Sequence, residues 1–242
     1  MNKKPLYLKQ ILNFISKRSS VINKKEFVNL LDAQDKILAE NIYSRISLPP
    51  FKNSAVDGYA LLKQDLNKMP KKINNIRVAA GDATNHKIKG GEVVRIFTGA
   101  KMPSNSTTVV MQENTKISDN KLFLIRIPIY GDNCRHKGED ILKGSLVLKK
   151  GTRIDTKNLN LIAAIGYSKI KVYVKIKIGF YTSGNELVEP TTKLKNSNIN
   201  NSNYYLLNSL LNKNYINKKF LGNLPDKADI IKKELLNKVS KY

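Results

Sequence analysis

The side chains best placed for chemistry lie in one short stretch, LPPFKNSAVDGYA at residues 48–60. A proline pair opens the stretch and disfavours helix there. An amide, a hydroxyl and a carboxylate follow, from Asn53, Ser54 and Asp57, just before the turn-forming Gly58. Such residues often satisfy only the backbone of their own surface turn. An exposed loop is also the usual home of binding and catalytic groups, so the stretch predicts either a plain turn or part of a polar-ligand site.

Further polar or glycine-rich segments follow along the chain. In order, they are GEVVRIFTGA at 91–100, MP at 102–103, VVMQE at 109–113, GDNCR at 131–135, GED at 138–140 and TSGNEL at 182–187. Together with the 48–60 stretch, and in compatible order and spacing, they resemble the motifs of the molybdopterin molybdenumtransferases, the MoeA and gephyrin E-domain family. The resemblance covers nearly the whole chain. It departs at Lys52 and Asn185, where the family usually carries aspartate, and at Val56, where it often carries methionine.

The resemblance implies a specific reaction. Members of the family transfer molybdenum from molybdate onto the dithiolene of adenylylated molybdopterin and release AMP, so we expect a role in molybdenum cofactor biosynthesis, with Mg²⁺ as cofactor. Mg²⁺ prefers carboxylates together with water and phosphate, and backbone N–H groups in glycine-rich turns suit oxyanions. The sulfur ligands come from the molybdopterin, which agrees with a chain that has one cysteine and two histidines.

The resemblance also assigns roles to individual residues. The catalytic residues that it implies are Asp57, Thr98, Asp140 and Glu186. Of these, Asp57, Asp140 and Glu186 are expected to bind the metal. The cofactor-binding residues that it implies are Asn53, Ser54, Arg135, Ser183, Gly184 and Asp226.

Several of these residues have a purely structural alternative. Asp57 and Asp140 could stabilise or end turns, and Thr98 could begin a turn before a glycine. Glu186 could be a first-turn helix acid favoured by the macrodipole, and Asp226 could be a helix N-cap.

Two arginines, Arg95 and Arg135, could bind an oxyanion, because a guanidinium binds phosphate or molybdate in bidentate fashion. Either could equally pair with a neighbouring carboxylate. We interpret Cys134 as a small packing residue, and the positions of the two histidines do not indicate a zinc site.

Composition predicts a soluble, cytoplasmic protein. Hydrophobic residues make up 41% of the 242 residues, which suits a globular chain. No apolar run approaches the length of a membrane span, and the first residues lack the pattern of a secretory signal. The resemblance adds an expected elongated homodimer and an upstream partner, molybdopterin adenylyltransferase.

The formal charge of +24 leaves nucleic-acid binding open as a less favoured function, since a basic surface attracts phosphates without any motif. The lysines are spread along the chain, however, and no zinc-finger, RNP-like or recognition-helix pattern is present. We therefore expect no specific nucleic-acid partner.

The hydrophobic pattern predicts a multidomain fold that is part α+β and part α/β. Helices are predicted from Leu8 to about residue 20, at 24–31, and from about 35 through 40. A β-rich block is predicted at 47–140, with strands at 76–79, 93–97, 107–111 and 121–127. A strand at 145–148, a helix at 158–165, strands at 170–176, 176–181 and 218–224, and helices at 203–211 and 226–238 complete the prediction.

These elements predict three domains. A discontinuous N-terminal α/β-type domain comprises 1–46 plus 141–175, a β-rich inserted domain comprises 47–140, and a partial molybdopterin-binding α/β domain comprises 176–242. The family's glycine-rich loop and final β domain are absent from this sequence, so we expect the segment after Lys175 to be poorly packed and the chain alone to be inactive. A non-catalytic, truncated remnant of the family is therefore the main alternative function.

Overall fold

The computed structural model describes residues 7–20, 22–68, 70–82, 85–195, 197–239 and 241–242. The chain divides into two compact units: a middle unit, residues 43–147, and a flanking unit, residues 1–42 with 148–242. The mixture of helices and strands, with strands predominating, confirms the predicted α and β content. The predicted division into three domains stays a prediction.

The α-helices of the described residues are α1 Leu8–Arg18, α2 Thr156–Ala164, α3 Ser202–Leu210 and α4 Ala228–Lys238. The strands are β1 Lys25–Asn29, β2 Ile42–Tyr43, β3 Asn53–Ser54, β4 Gly58–Leu61, β5 Lys71–Val78, β6 Glu92–Ile96, β7 Thr108–Met111, β8 Thr115–Ser118, β9 Lys121–Leu124, β10 Cys134–Arg135, β11 Leu146–Leu148, β12 Lys169–Tyr173, β13 Ile176–Ser183, β14 Leu187–Val188, β15 Ile199–Asn200 and β16 Ile216–Leu224.

A six-stranded sheet in the order β7-β4-β6-β5-β9-β8 forms the middle unit. The pair β5–β6 is parallel and the other pairs are antiparallel. Side chains alternate between its faces, as the pleat requires: Tyr59, Leu61 and Val93 belong to one buried cluster, whereas Ala60 and Val94 belong to another. The described part of this unit contains no α-helix, which agrees with the β-rich block predicted there.

The flanking unit combines short strand pairs with helices. Strand β1 pairs with β12 in antiparallel fashion, and β13 pairs with β16 in parallel. Helix α3 packs on the parallel pair through aromatic rings, with the ring centroid of Tyr204 lying 4.6 Å from that of Phe220 and that of Phe220 lying 5.3 Å from that of Phe180. These contacts fix α3 and β16 beside β13.

Two predicted helices near the N-terminus are wrong. Residues 24–31 contain strand β1, followed by a short 3₁₀ turn, and residues 35–40 form a turn with isolated bridges. Asp35 has a φ of 60°, which a right-handed helix does not allow. The N–H groups of Leu38 and Ala39 bond to the carbonyls of Thr152 and Lys171, so long-range pairing overrides the local helical pattern.

Apolar side chains remain exposed on the last two helices. Leu206 and Leu210 of α3 are 56% and 58% exposed, and Leu235 and Leu236 of α4 are 50% and 63% exposed. The sparse packing predicted for the segment after Lys175 stays a prediction, because apolar side chains of the middle unit, such as Ile125 and Ile129, are exposed to a similar extent. None of the helices in the described residues has the length and hydropathy needed to cross a membrane.

Gly58 opens the central strand β4 and has no room for a side chain. A Cβ there would lie 1.9 Å from the carbonyl oxygen of Val110 on β7. We expect Gly58→Ala to lower the free energy of unfolding by about 1–3 kcal/mol through overpacking, as measured by urea denaturation. The control is Gly90→Ala, whose nearest neighbour is the flexible amide end of Gln64 at 3.4 Å. Equal stability of the two variants would contradict the close approach of β4 and β7.

Candidate functional site

Asp57 is held by Thr98, which lies in the loop after β6. One carboxylate oxygen, Oδ1, accepts hydrogen bonds from the backbone N–H of Thr98 at 2.7 Å and from its hydroxyl at 2.8 Å. The Asp57 carbonyl accepts a bond from the N–H of Gln112 at 3.1 Å. The described residues donate no hydrogen bond to the other carboxylate oxygen, Oδ2, so this oxygen can accept a ligand.

These contacts determine the charge of Asp57. The Thr98 N–H and then its hydroxyl lower the pKa of the carboxyl below the ordinary value of 3.8, and the charge of Arg95 acts in the same direction. Asp57 is therefore ionised at neutral pH. Since folding lowers this pKa, the bonds stabilise the folded chain above pH 3.8, and the contribution is lost as the pH falls through the lowered value.

The loop before Asp57 is tied to the loop that carries Thr98. The N–H of Gly99 donates to the carbonyl of Ser54 at 2.8 Å, and the N–H of Ser54 donates to the carbonyl of Ala100 at 3.0 Å. The Ser54 side chain is buried, and its hydroxyl donates to the carbonyl of Val56. Ser54 thus fixes the turn and has no hydroxyl exposed to a ligand. Asn53 differs, because its buried Oδ1 has no hydrogen-bond partner among the described residues.

Arg135 and Asp140 form a second cluster in the middle unit. The Arg135 guanidinium donates from Nε to Glu139 Oε1 at 2.6 Å and from Nη2 to both Asp140 oxygens at 2.6 and 2.7 Å. The bond from Arg135 and then the N–H of His136 lower the pKa of Glu139. Carboxylates therefore occupy the Nε and Nη2 donors of Arg135. Pairing with neighbouring carboxylates was one of the two alternatives that the sequence left open for this arginine.

A third cluster lies in the flanking unit, where the parallel strands β13 and β16 end. The Ser183 hydroxyl and the Asn185 N–H each donate to an Asp226 carboxylate oxygen at 3.3 Å. Gly184, with a φ of 146°, leaves space for the Glu186 carboxylate, whose oxygens would lie 2.7 Å from an added Cβ. The carboxyl ends of parallel strands are where ligands bind in open α/β sheets.

The sequence did not reveal the support behind this third cluster. The Asn201 amide donates to the Thr182 hydroxyl at 2.9 Å, and the Asn223 amide donates to the Gly184 carbonyl at 2.7 Å. Asn201 also caps α3 by accepting from the N–H of Tyr204. Asp226, in contrast, does not cap α4, because the N-cap is Lys227; the N-cap interpretation of Asp226 is wrong.

The predicted site residues thus fall into separate groups. The middle unit contains Asn53, Ser54, Asp57, Thr98, Arg135 and Asp140, and the flanking unit contains Ser183, Gly184, Glu186 and Asp226. Across the described ranges, no group of three or more histidine, cysteine, aspartate or glutamate side chains could hold a metal ion by itself. The roles assigned to these residues stay predictions.

The model of one protein family matches most of the chain. The MoeA N-terminal region, domains I and II, matches residues 6–166. The chain belongs to the MoeA family. This confirms the resemblance drawn from the motifs.

Curated MoeA-family relatives extend the comparison. The molybdopterin molybdenumtransferase of Haemophilus influenzae is 35% identical over 202 residues, which are 83% of this chain and 50% of that protein. The protein of the same name from Nostoc sp. is 32% identical, over 84% of this chain and 48% of that protein. The chain therefore spans about half the length of the curated relatives it matches.

A solved structure shares the fold. The molybdopterin biosynthesis moeA protein from Pyrococcus horikoshii OT3 superposes with a TM-score of 0.87 at 30% identity, covering 96% of this chain and 63% of that one. The strand-rich arrangement described above is therefore a MoeA-like fold.

The Thr98 contacts give a direct test of the charge on Asp57. We expect Thr98→Val to raise the pKa of Asp57, since the hydroxyl bond is lost, but to leave it below 3.8, because the backbone N–H still donates. An NMR titration of the side-chain carboxyl measures both values. Thr152→Val, which removes a hydroxyl bonded to the Lys149 carbonyl, should leave the Asp57 pKa unchanged. An Asp57 pKa at or above 3.8 in the unmodified chain would contradict the described geometry.

Proposed function

We propose that this chain acts in molybdenum cofactor biosynthesis as part of a molybdopterin molybdenumtransferase. The reaction is the transfer of molybdenum from molybdate to adenylylated molybdopterin, with release of AMP. The observation that carries the proposal is the family match over 6–166, which includes the Asp57–Thr98 pair. The names of the curated relatives support the same activity.

Asp57 is the residue of the middle unit best suited to the chemistry. Two donors on Oδ1 keep the carboxylate ionised and oriented, while Oδ2 accepts no bond from the described residues. A preorganised anion of this kind interacts strongly with a cationic or proton-bearing group of a bound substrate. Asp57 therefore needs no change of charge or orientation when a substrate binds.

The part of the site around Asp57 offers Mg²⁺ a single protein carboxylate as ligand. Mg²⁺ is commonly held by one or two carboxylates, with waters and substrate phosphates completing its coordination. Oδ2 of Asp57 is such a ligand, whereas both Asp140 oxygens already accept from Arg135. When bound, the cation would neutralise phosphate charge on the substrate, and Asp57 is the residue of the middle unit that would hold it.

The third cluster is suited to a polar group of the substrate. The bonds from the Ser183 hydroxyl and the Asn185 N–H to Asp226 are both 3.3 Å long, beyond the usual range of about 2.5–3.0 Å for a hydroxyl donor and about 2.7–3.2 Å for an N–H donor. Weak internal bonds exchange readily for bonds to a ligand. We therefore assign Ser183, Gly184 and Asp226 to cofactor binding and Glu186 to the catalytic set.

The proposal also covers the oligomeric state of the protein, its location and its upstream partner. We expect a homodimer in the cytoplasm that receives adenylylated molybdopterin from a molybdopterin adenylyltransferase. Size-exclusion chromatography with light scattering would detect the dimer.

The decisive experiment measures AMP release from adenylylated molybdopterin with and without molybdate. We expect molybdate-dependent release by a full-length family protein that contains this sequence, and little or none by residues 1–242 alone. In the full-length protein we expect Asp57→Asn to lose about 100-fold or more, since loss of one preorganised electrostatic contact costs about that much in other enzymes. The binding of adenylylated molybdopterin is measured in parallel.

The matched control is Asp119→Asn. Asp119 lies in the same unit, with a carboxylate oxygen near the Ser118 hydroxyl, and asparagine tolerates its left-handed backbone. This variant changes the charge equally and should retain full activity. Similar rates for the two variants would remove Asp57 from the reaction, and an absence of AMP release from the unmodified full-length protein would refute the proposed activity.

A further inference from the structure

A cavity of about 1060 Å³ lies within the middle unit. Its lining includes three cationic side chains, Arg77, Arg95 and Lys116, beside the rings of Tyr59 and Phe97. One acidic side chain, Glu113, also lines it. The cavity is therefore predominantly cationic.

The sheet register places the two arginines side by side. Arg95 on β6 is the cross-strand partner of Tyr59 on β4 and of Arg77 on β5. Partners in register project to the same face of a sheet, with Cβ atoms about 5 Å apart. Tyr59, Arg95 and Arg77 thus form a row across three adjacent strands.

Neither arginine is neutralised directly. Among the described residues, no carboxylate oxygen lies within 4.0 Å of a charged nitrogen of Arg77, Arg95 or Lys116. Like charges placed directly opposite each other on a sheet are destabilising. Two arginines side by side are therefore expected where a bound anion offsets the repulsion between them.

Arg95 is oriented by neutral partners. Its guanidinium lies 5.0 Å from the ring centroids of both Tyr59 and Phe97 and donates to Gln112 Oε1 and the Gly58 carbonyl. The Gln112 amide in turn donates to Glu113, so an amide, and not the Glu113 carboxylate, contacts the Arg95 guanidinium. Arg95 is held in place and keeps its positive charge available.

We propose that this cavity binds a dianionic tetrahedral oxyanion, namely a phosphate group, either free or carried as a monoester. Arg77 and Arg95 supply paired donors from one face of the sheet, and Lys116 supplies a third charge. Guanidinium groups suit this ligand because their planar forks match the spacing of its oxygens. The site differs from the Asp57–Thr98 pair, although Arg95 borders both, and it does not depend on the proposed function.

The test is isothermal titration with inorganic phosphate, at constant ionic strength maintained with chloride. We expect saturable binding that Arg77→Gln weakens about tenfold or more, as is typical when a charge-assisted hydrogen-bond donor is lost. The matched control, Arg126→Gln, removes an exposed arginine of the same unit that does not line the cavity. It should bind phosphate as the unmodified chain does.

Two further measurements make the result specific. Phosphate should shift the backbone NMR signals of Arg77, Arg95 and Lys116, which locates the bound anion. Without phosphate, Arg77→Gln should melt at the same temperature as the unmodified chain or higher, since a repulsion is removed. Phenyl phosphate distinguishes the sources: a monoester that binds more tightly than inorganic phosphate indicates an organic ligand beside the rings, and equal affinity indicates the free ion.

The proposal is overturned if phosphate does not bind, if Arg77→Gln and Arg126→Gln lose affinity equally, or if the shifted signals lie outside the cavity. These outcomes leave the AMP-release experiment unaffected, because that experiment depends on Asp57→Asn. Phosphate binding at this cavity without AMP release by the full-length protein would refute only the proposed function.

Discussion

The middle unit depends on how closely its central strand packs against its neighbour. Strand β4 lies between β6 and β7, and at Gly58 its Cα approaches the Val110 carbonyl too closely for any side chain. Asp57 directly precedes this point, and its own carbonyl accepts a bond from Gln112 at the end of β7. The position of the carboxylate is therefore set by the sheet itself, with Thr98, two residues beyond the end of β6, supplying the final contacts.

Charged side chains are held in contrasting ways, even within the middle unit. Arg135 pairs with Glu139 and Asp140, whereas the partners of Arg95 among the described residues are rings, an amide and a carbonyl. Exposed ion pairs contribute little stability, so the Arg135 cluster serves chiefly to orient its loop. In the flanking unit, the cluster at the ends of β13 and β16 is held by amides and hydroxyls. An uncharged framework of this kind leaves Asp226 and Glu186 available for other partners.

Parts of the fold could be predicted from the sequence because the residues that determine them are neighbours in the chain. Helix α2 follows Asp155, a side-chain cap for Asn158, and α3 follows Asn201, a cap for Tyr204. The two helices predicted within residues 24–40 are wrong, because the carbonyl groups that bond to the N–H groups of Leu38 and Ala39 lie more than a hundred residues away in the chain. The Arg77–Arg95 pairing was equally hidden. It depends on a register shift in β5 between Asn74 and Arg77, and no motif marks such a shift.

That shift also constrains how the strand can vary in length. Asn74 pairs with Val94 and Arg77 with Arg95, so β5 gains two extra residues where β6 advances by one. Because side chains alternate with a period of two, an even excess preserves which face each later residue occupies, and Val78 stays buried opposite Ile96. Loss or gain of a single residue here would turn Val78 to the opposite face and Arg77 towards the core. Natural length variation at this bulge is therefore expected to come in steps of two, a parity rule that can be read from the sequences of related chains.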